Sequence, residues 1–364
     1  MIPYFIPDMP SCDQLIPHLR EIDNNRWYSN FGPLHDKFKL SIAKALFKDL
    51  ETSRFVLSST GTSAIELALK SLQLPVGAKV LTSSFTFPAT IEAIINVGLS
   101  PVICDIDKAN WQLTPAIAEQ AICHQDFAAV LPVAAFGMPV CSDSWSDFSK
   151  RTGLPVVVDA AAALINQTIN NQLIYAFSLH ATKPIGAGEG GIVVCPSKDQ
   201  ALTIQKMSNF GIEPDRIISQ IGTNAKLSEY HCAVGLANMD RLKDTLNKRH
   251  RLFKHYSSLI SEKKVPLSLQ AGSKHFTPAS LYVVFDDASA DSVSAALLEK
   301  NIETRRLYTP LINAHPAFKD IEILNDSPLL NARKVSENGL ALPFHMHLSH
   351  EEIETVVDAL AEIL

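Results

Sequence analysis

Short apolar, β-branched runs alternate with stretches of helical periodicity through the first half of this chain, and that alternation predicts its architecture. KVLTSS at 79–84 precedes a helical pattern near 88–97, and PVICDID at 101–107 precedes another near 114–122. AAVLPVA at 128–134, a helical pattern near 144–150 and PVVVDA at 155–160 continue the series. Such a sequence of elements reads as βαβ units around a largely parallel sheet with helices on both faces. SSTGTSAIELALKSL reads as a loop feeding a helix, with Ile65, Ala68, Leu69 and Leu72 on the buried stripe.

After GIVVCP at 191–196 the character changes. Leu227, Leu236, Met239, Leu242 and Leu246 recur near helical spacing over 226–254, a helical connector between domains. LYVVF at 281–285, a helical stretch at 291–300 and a terminal helix near 351–364 suffice for a small α+β domain. The predicted division is a large domain over 1–240 and a small one over 241–364. Pro3, Pro7 and Pro10 make the start an extended arm lying on another surface, for which a partner subunit would serve.

The length of 364 residues agrees with two domains, and 46% hydrophobic against 19% charged residues describes a globular protein with a generous interior. A formal charge of −6 without a basic run gives no electrostatic reason to bind nucleic acid, so a small-molecule substrate is favoured. Cys12, Cys104, Cys123, Cys141, Cys195 and Cys232 include no C-x-x-C pair and read as reduced, buried packing residues. With no secretory pattern and no window of 18 apolar residues, the expected location is the cytoplasm, with no membrane association.

Chemistry enters at a few places. PVVVD delivers Asp159 to the carboxyl end of a strand, where open α/β sheets bind ligands, although the same residue type also suits a helix N-cap. YAFSLHATKPIGAGEGG then packs Ser178, His180, Thr182 and Lys183 before a glycine-rich turn. A partly desolvated lysine there could form an imine with an aldehyde, while a solvated loop lysine is the plain alternative. His180 reads as a packed or capping histidine rather than a catalytic one. Gly186, Gly188 and Gly191 formally satisfy G-x-G-x-x-G, but a Lys-Pro loop precedes them and a strand follows, which is the wrong context for a dinucleotide. Gly61, Thr62 and Ser63 open a helix whose N-terminus could hold a phosphate, or Thr60 or Thr62 could simply cap it. Phe87 in TFPAT could stack on a flat ring or belong to the core.

Taken in order, GTSA at 61–64, TFPAT at 86–90, DAA at 159–161, SLHATK at 178–183, GEGG at 188–191 and GTNAKLSE at 222–229 resemble the DegT/DnrJ/EryC1/StrS sugar aminotransferase family. RRLYTPL at 305–311 and LALPF at 340–344 extend the resemblance almost to the end of the chain. It implies a fold-type-I pyridoxal-phosphate enzyme, α/β with a mostly parallel sheet flanked by helices and a smaller C-terminal α+β domain, working as a homodimer with shared active sites. Residue by residue, Lys183 matches the imine-forming lysine and Asp159 the partner of the pyridinium nitrogen. Thr62, Ser63 and Ser178 match phosphate-binding positions, Phe87 the stacking aromatic, and Asn224 the residue reaching the phosphate from the neighbouring subunit. The implied substrates are L-glutamate and a nucleotide-linked keto sugar, with no metal.

One position departs from the pattern. Many members carry D-x-x-Q after the strand, and here Ala162 stands in place of the glutamine. That leaves a non-catalytic, cofactor-binding regulator as the rival from another class, and a sugar dehydratase of the same fold as the rival enzyme. Dehydrating members carry histidine in place of Lys183, which argues against the second. Arg26, Tyr308 and His315 are candidates for substrate contacts or for packing.

Overall fold

The computed structural model describes residues 1–48 and 50–364. After the N-terminal arm come α1 (Cys12–Asn25), α2 (Pro33–Leu46), β1 (Phe55–Ser58), α3 (Gly61–Lys70) and β2 (Lys79–Ser83). Then follow α4 (Pro88–Asn96), β3 (Ser100–Cys104), α5 (Pro115–Ile122), β4 (Ala129–Leu131), α6 (Ser142–Thr152), β5 (Val157–Asp159), β6 (Ile174–Ser178) and β7 (Gly191–Val194). Strands β1-β7-β6-β5 form one run and β2 joins β3 and β4 in another, and the parallel bridges Val130 to Val156 and Val133 to Asp159 connect the two. In this sheet β7 alone runs antiparallel to its neighbours β1 and β6.

Both faces of the sheet are covered. Along β6, Tyr175 and Phe177 enter one apolar core while Ile174 and Ala176 enter the other, as the two-residue period of a strand requires. Helices α7 (Lys198–Ser208), α8 (Glu229–Asp240) and α9 (Leu242–Glu262) lead out of this region, the last two meeting at Arg241. The predicted helical stretch therefore begins at Glu229 rather than at 226. A second, antiparallel sheet is built from β8 (Leu267–Leu269), β9 (Tyr282–Phe285) and β11 (Gly339–Ala341), covered by α9, α10 (Ala290–Glu299) and α12 (His350–Ile363) around Tyr256, Phe285 and Leu340. Two later elements turn back towards the large sheet: β10 (Glu322–Ile323) pairs with β3, and α11 (Leu330–Asn338) receives the Asp105 carboxylate at its first turn.

The arm has contacts within its own chain, and the cysteine expectation needs correction. Ile2 bridges to Ile302, its N–H donating to the Asn301 carbonyl at 2.7 Å, and Asp8 pairs with Arg241. Of the cysteines, only Cys104, Cys195 and Cys232 are buried; Cys12, Cys123 and Cys141 are exposed because they stand at helix ends. Among the described residues no helix is long and apolar enough to cross a membrane.

GTNAKLSE ends in a structural carboxylate. Glu229 is buried at the start of α8, and its two oxygens accept the N–H groups of Leu34 and His35, both at 2.8 Å. It thereby satisfies amides in the first turn of α2, which has no side-chain cap of its own.

Candidate active site

The carboxyl ends of β5 and β6 bring the sequence candidates together. Asp159 closes β5 and is only 4% exposed. Its Oδ2 accepts the Thr90 hydroxyl at 2.7 Å and its Oδ1 the Ala161 N–H at 3.1 Å. Burial raises the carboxyl pKa, opposed by those two donors and by the charge of Lys183. Lys183 experiences the converse: burial lowers the amine pKa, and Asp159 works against that shift. The two groups are thus within electrostatic reach of each other in a poorly solvated setting, which suits a lysine that must be free of its proton to react.

Lys183 is placed by the connection from β6 to β7, which folds back on itself. Leu179 N–H donates to the Gly190 carbonyl, Ala181 N–H to that of Gly188, and Lys183 N–H to that of His180. Gly188 adopts φ +83°, and a Cβ on Gly191 would fall 2.2 Å from the Thr60 carbonyl oxygen, so these glycines serve close backbone passage. His180 is exposed in this turn, its Nδ1 lying 2.9 Å from the Thr182 hydroxyl and accepting the Thr182 N–H at 3.2 Å.

The start of α3 abuts the end of β6. A Cβ on Gly61 would lie 2.7 Å from that of Ser178, so only glycine lets the helix terminus approach this strand. Thr60 is the N-cap, its side chain accepting the Ser63 N–H at 3.0 Å, while the Ser63 hydroxyl accepts the Thr60 N–H at 3.0 Å. Ser63 is therefore engaged in the cap, whereas Gly61 and Thr62, as the first two helical residues, present N–H groups beyond the reach of intrahelical acceptors. Those amides and the helix dipole, with Ser178 alongside, could hold an anion such as a phosphate.

Phe87 is 60% exposed at the N-cap of α4, between Thr86 and the Thr90 that binds Asp159. An exposed aromatic on the helix that holds the buried carboxylate, a poorly solvated amine coupled to that carboxylate, and a helix terminus with free amides are together the parts that a flat, phosphorylated ring carrying an aldehyde and a basic nitrogen would need.

The later segments contribute one wall. Tyr308 stacks on Phe136, with centroids 5.0 Å apart and planes at 17°, and meets the edge of Phe85 at 5.1 Å. Tyr308 and Phe136 both hold φ +55°, an uncommon conformation for bulky residues. Burial pushes the Tyr308 phenol up, and the Asp159 charge adds to that shift. Arg26 is exposed at the end of α1, and His315 turns its Nε2 towards the Pro310 carbonyl at 3.2 Å. Asn224 is exposed, with its Oδ1 accepting Lys226 Nζ at 2.7 Å. Ala162 occupies the turn after β5 with its carbonyl against Gly137. Thr86, Thr90 and Phe136 escaped the sequence reading, although TFPAT already carried two hydroxyls flanking its phenylalanine.

A model of the DegT/DnrJ/EryC1/StrS aminotransferase family matches residues 12–361. The dTDP-4-amino-4,6-dideoxy-D-glucose transaminase of Shigella dysenteriae is 30% identical, with 99% of each chain covered. Among solved structures, a provisionally named PLP-dependent aminotransferase from Bacillus cereus superposes with a TM-score of 0.91 at 27% identity, covering 99% of both chains. DesI, solved in the presence of its TDP-sugar product, gives 0.87 at 25% identity, covering 100% of this chain and 93% of DesI.

Proposed function

Since the chain belongs to the DegT/DnrJ/EryC1/StrS aminotransferase family and is a pyridoxal-phosphate-dependent sugar aminotransferase, we propose that it moves the amino group of L-glutamate to a nucleotide-linked keto-deoxysugar. The product would serve amino-sugar and surface-polysaccharide biosynthesis in the cytoplasm. The observation carrying this reading is a buried Asp159 held by Thr90 of the helix that Phe87 caps, with Lys183 near enough for the two charges to act on each other.

In this reading Lys183 would hold the cofactor aldehyde, Asp159 its ring nitrogen, and Phe87 one face of its ring. Thr62 and Ser178 would hold the phosphate with the first amides of α3, and Ser63 would shape that turn through its cap. When bound, the cofactor supplies an electron sink for the charge left at the donor's Cα. Asp159 keeps the sink effective by retaining a proton at the ring nitrogen. Lys183 would be the base that takes the donor's Cα proton and delivers it to the carbon that carried the aldehyde, and the burial that depresses its basicity favours the proton-free amine this needs. Phe85, Phe136 and Tyr308 pack into an aromatic cluster whose Tyr308 lies within electrostatic reach of Asp159.

The protein is also proposed to act as a homodimer, with Asn224 reaching the neighbour's phosphate. Supporting this, the segment before Asn224 exposes Ile217, Ile218 and Ile221, the last at 81%, an apolar cluster that a second copy would cover. A division of the chain near residue 240 is supported by the α8–α9 junction at Arg241.

Incubating the cofactor-loaded protein with glutamate and a panel of nucleotide-linked 3-keto and 4-keto sugars tests the reading. Formation of the bound cofactor's amine form, followed by an amino sugar, is expected. Borohydride trapping should label Lys183; label on another lysine, or no amine form with any donor, rejects the assignment.

A further inference from the structure

We propose that Thr90 is a positioning residue for this reaction, its hydroxyl fixing Asp159 as an anion aimed at the cofactor's ring nitrogen while Thr86 orients that hydroxyl. The inference rests on the aminotransferase reading and adds to it a side chain that touches neither cofactor nor substrate.

Asp159 has three demands on its oxygens: to stay charged, to stay in one rotamer, and to keep a lone pair for the ring nitrogen. Burial works against the first. One donor comes from the Ala161 backbone at 3.1 Å, within the same turn; the other is the Thr90 hydroxyl at 2.7 Å, contributed by a different element, α4. An ionised carboxylate can only accept, so the single proton of Thr90 is committed to Oδ2. The 2.6 Å contact between Thr86 and Thr90 must then run from the Thr86 hydroxyl to Thr90 Oγ1.

Location strengthens the argument. Thr90 is fully buried, so water cannot readily replace its hydroxyl. A helical threonine commonly returns its hydroxyl to a carbonyl of the preceding turn, whereas this one is spent across the fold on the sheet. Thr86 and Thr90 also bracket Phe87, so one turn of α4 sets both the stacking face and the carboxylate.

The test is reconstitution of the full protein with pyridoxal phosphate labelled with 15N in the ring. Wild type and Thr90→Ser, which keeps the hydroxyl, are expected to show the chemical shift of a protonated ring nitrogen. Thr90→Val should bind the cofactor with its shift moved towards the unprotonated value. The acid limb of its half-reaction should rise by about one pH unit, the worth of one hydrogen bond to a charged group. Should Thr90→Val fail to fold, Thr90→Ala is read in the same way. A variant lacking the hydroxyl that loses thermal stability yet keeps the wild-type shift and pH profile overturns the inference, because Thr90 then only packs. If wild type itself takes no cofactor or forms no amine with any donor, the aminotransferase reading has failed and the inference falls with it; a wild type that reacts normally isolates the question to Thr90.

Discussion

Gly61 and Ser178 stand so close that a Cβ on the glycine would lie 2.7 Å from the serine Cβ. This contact seats the N-terminus of α3 against the end of β6 and sets the distance between the helix amides and the serine hydroxyl. Gly61→Ala is therefore expected to push the two elements apart and weaken pyridoxal-phosphate retention at least about tenfold, which corresponds to about 1.4 kcal/mol. Equilibrium dialysis of the cofactor measures it, and unchanged retention would show that this junction does not hold the phosphate.

Asp159→Asn should bind the cofactor but slow conversion to the amine form on the order of 100-fold, the scale of losing one preorganised electrostatic partner. A neutral amide cannot keep the pyridinium proton as a carboxylate does. Stopped-flow absorbance with glutamate reads the rate, and a wild-type rate would remove Asp159 from the ring-partner role.

The same two charges should cost the cofactor-free protein stability. Asp159 has a raised pKa in the folded state, so the folded form holds more protons than the unfolded one above the ordinary carboxylate range, and stability falls as pH rises through that window. Lys183 has a lowered pKa, so the folded form holds fewer protons below the ordinary lysine value, and stability rises with pH there. Replacing both, Lys183→Met with Asp159→Asn, should raise the apo Tm by about 2 °C or more near pH 7. The gain should shrink towards pH 4 and towards pH 10, limits near the ordinary pKa values of the two groups. Calorimetry across that range checks the shape, and a gain that does not depend on pH would mean that neither charge is the cause.

If the sites are shared, Lys183→Ala damages a site from within its own subunit, and Asn224→Asp damages the neighbour's by setting a negative charge against the phosphate. A mixed dimer then concentrates both defects in one site and leaves the other intact. Random exchange of equal amounts should restore about a quarter of wild-type activity, given two-fold symmetry and independent sites. Silence from the mixture, with each mutant inactive and subunit exchange demonstrated, would place Asn224 in its own chain's site.

The sequence by itself determined most of the elements and where along the chain the candidate site residues lie. Apolar runs such as PVVVD and GIVVC have little choice but buried strands, and Asp159 follows from its place at the end of one of them. Helix α4 was legible from its periodicity, and α12 likewise, its start lying within a residue of the pattern. Local pattern was silent on everything that depends on non-local approach. The arm's contact with Ile302, the return of β10 to β3, and the exposure of Cys12, Cys123 and Cys141 depend on packing between segments distant in the chain or on where helix ends meet the surface. The hydroxyl of Thr90 was visible as a letter, but its purpose was not. Only the tertiary structure brings it to Asp159, 69 positions away, because a hydrogen bond between side chains on different elements leaves no period in the sequence.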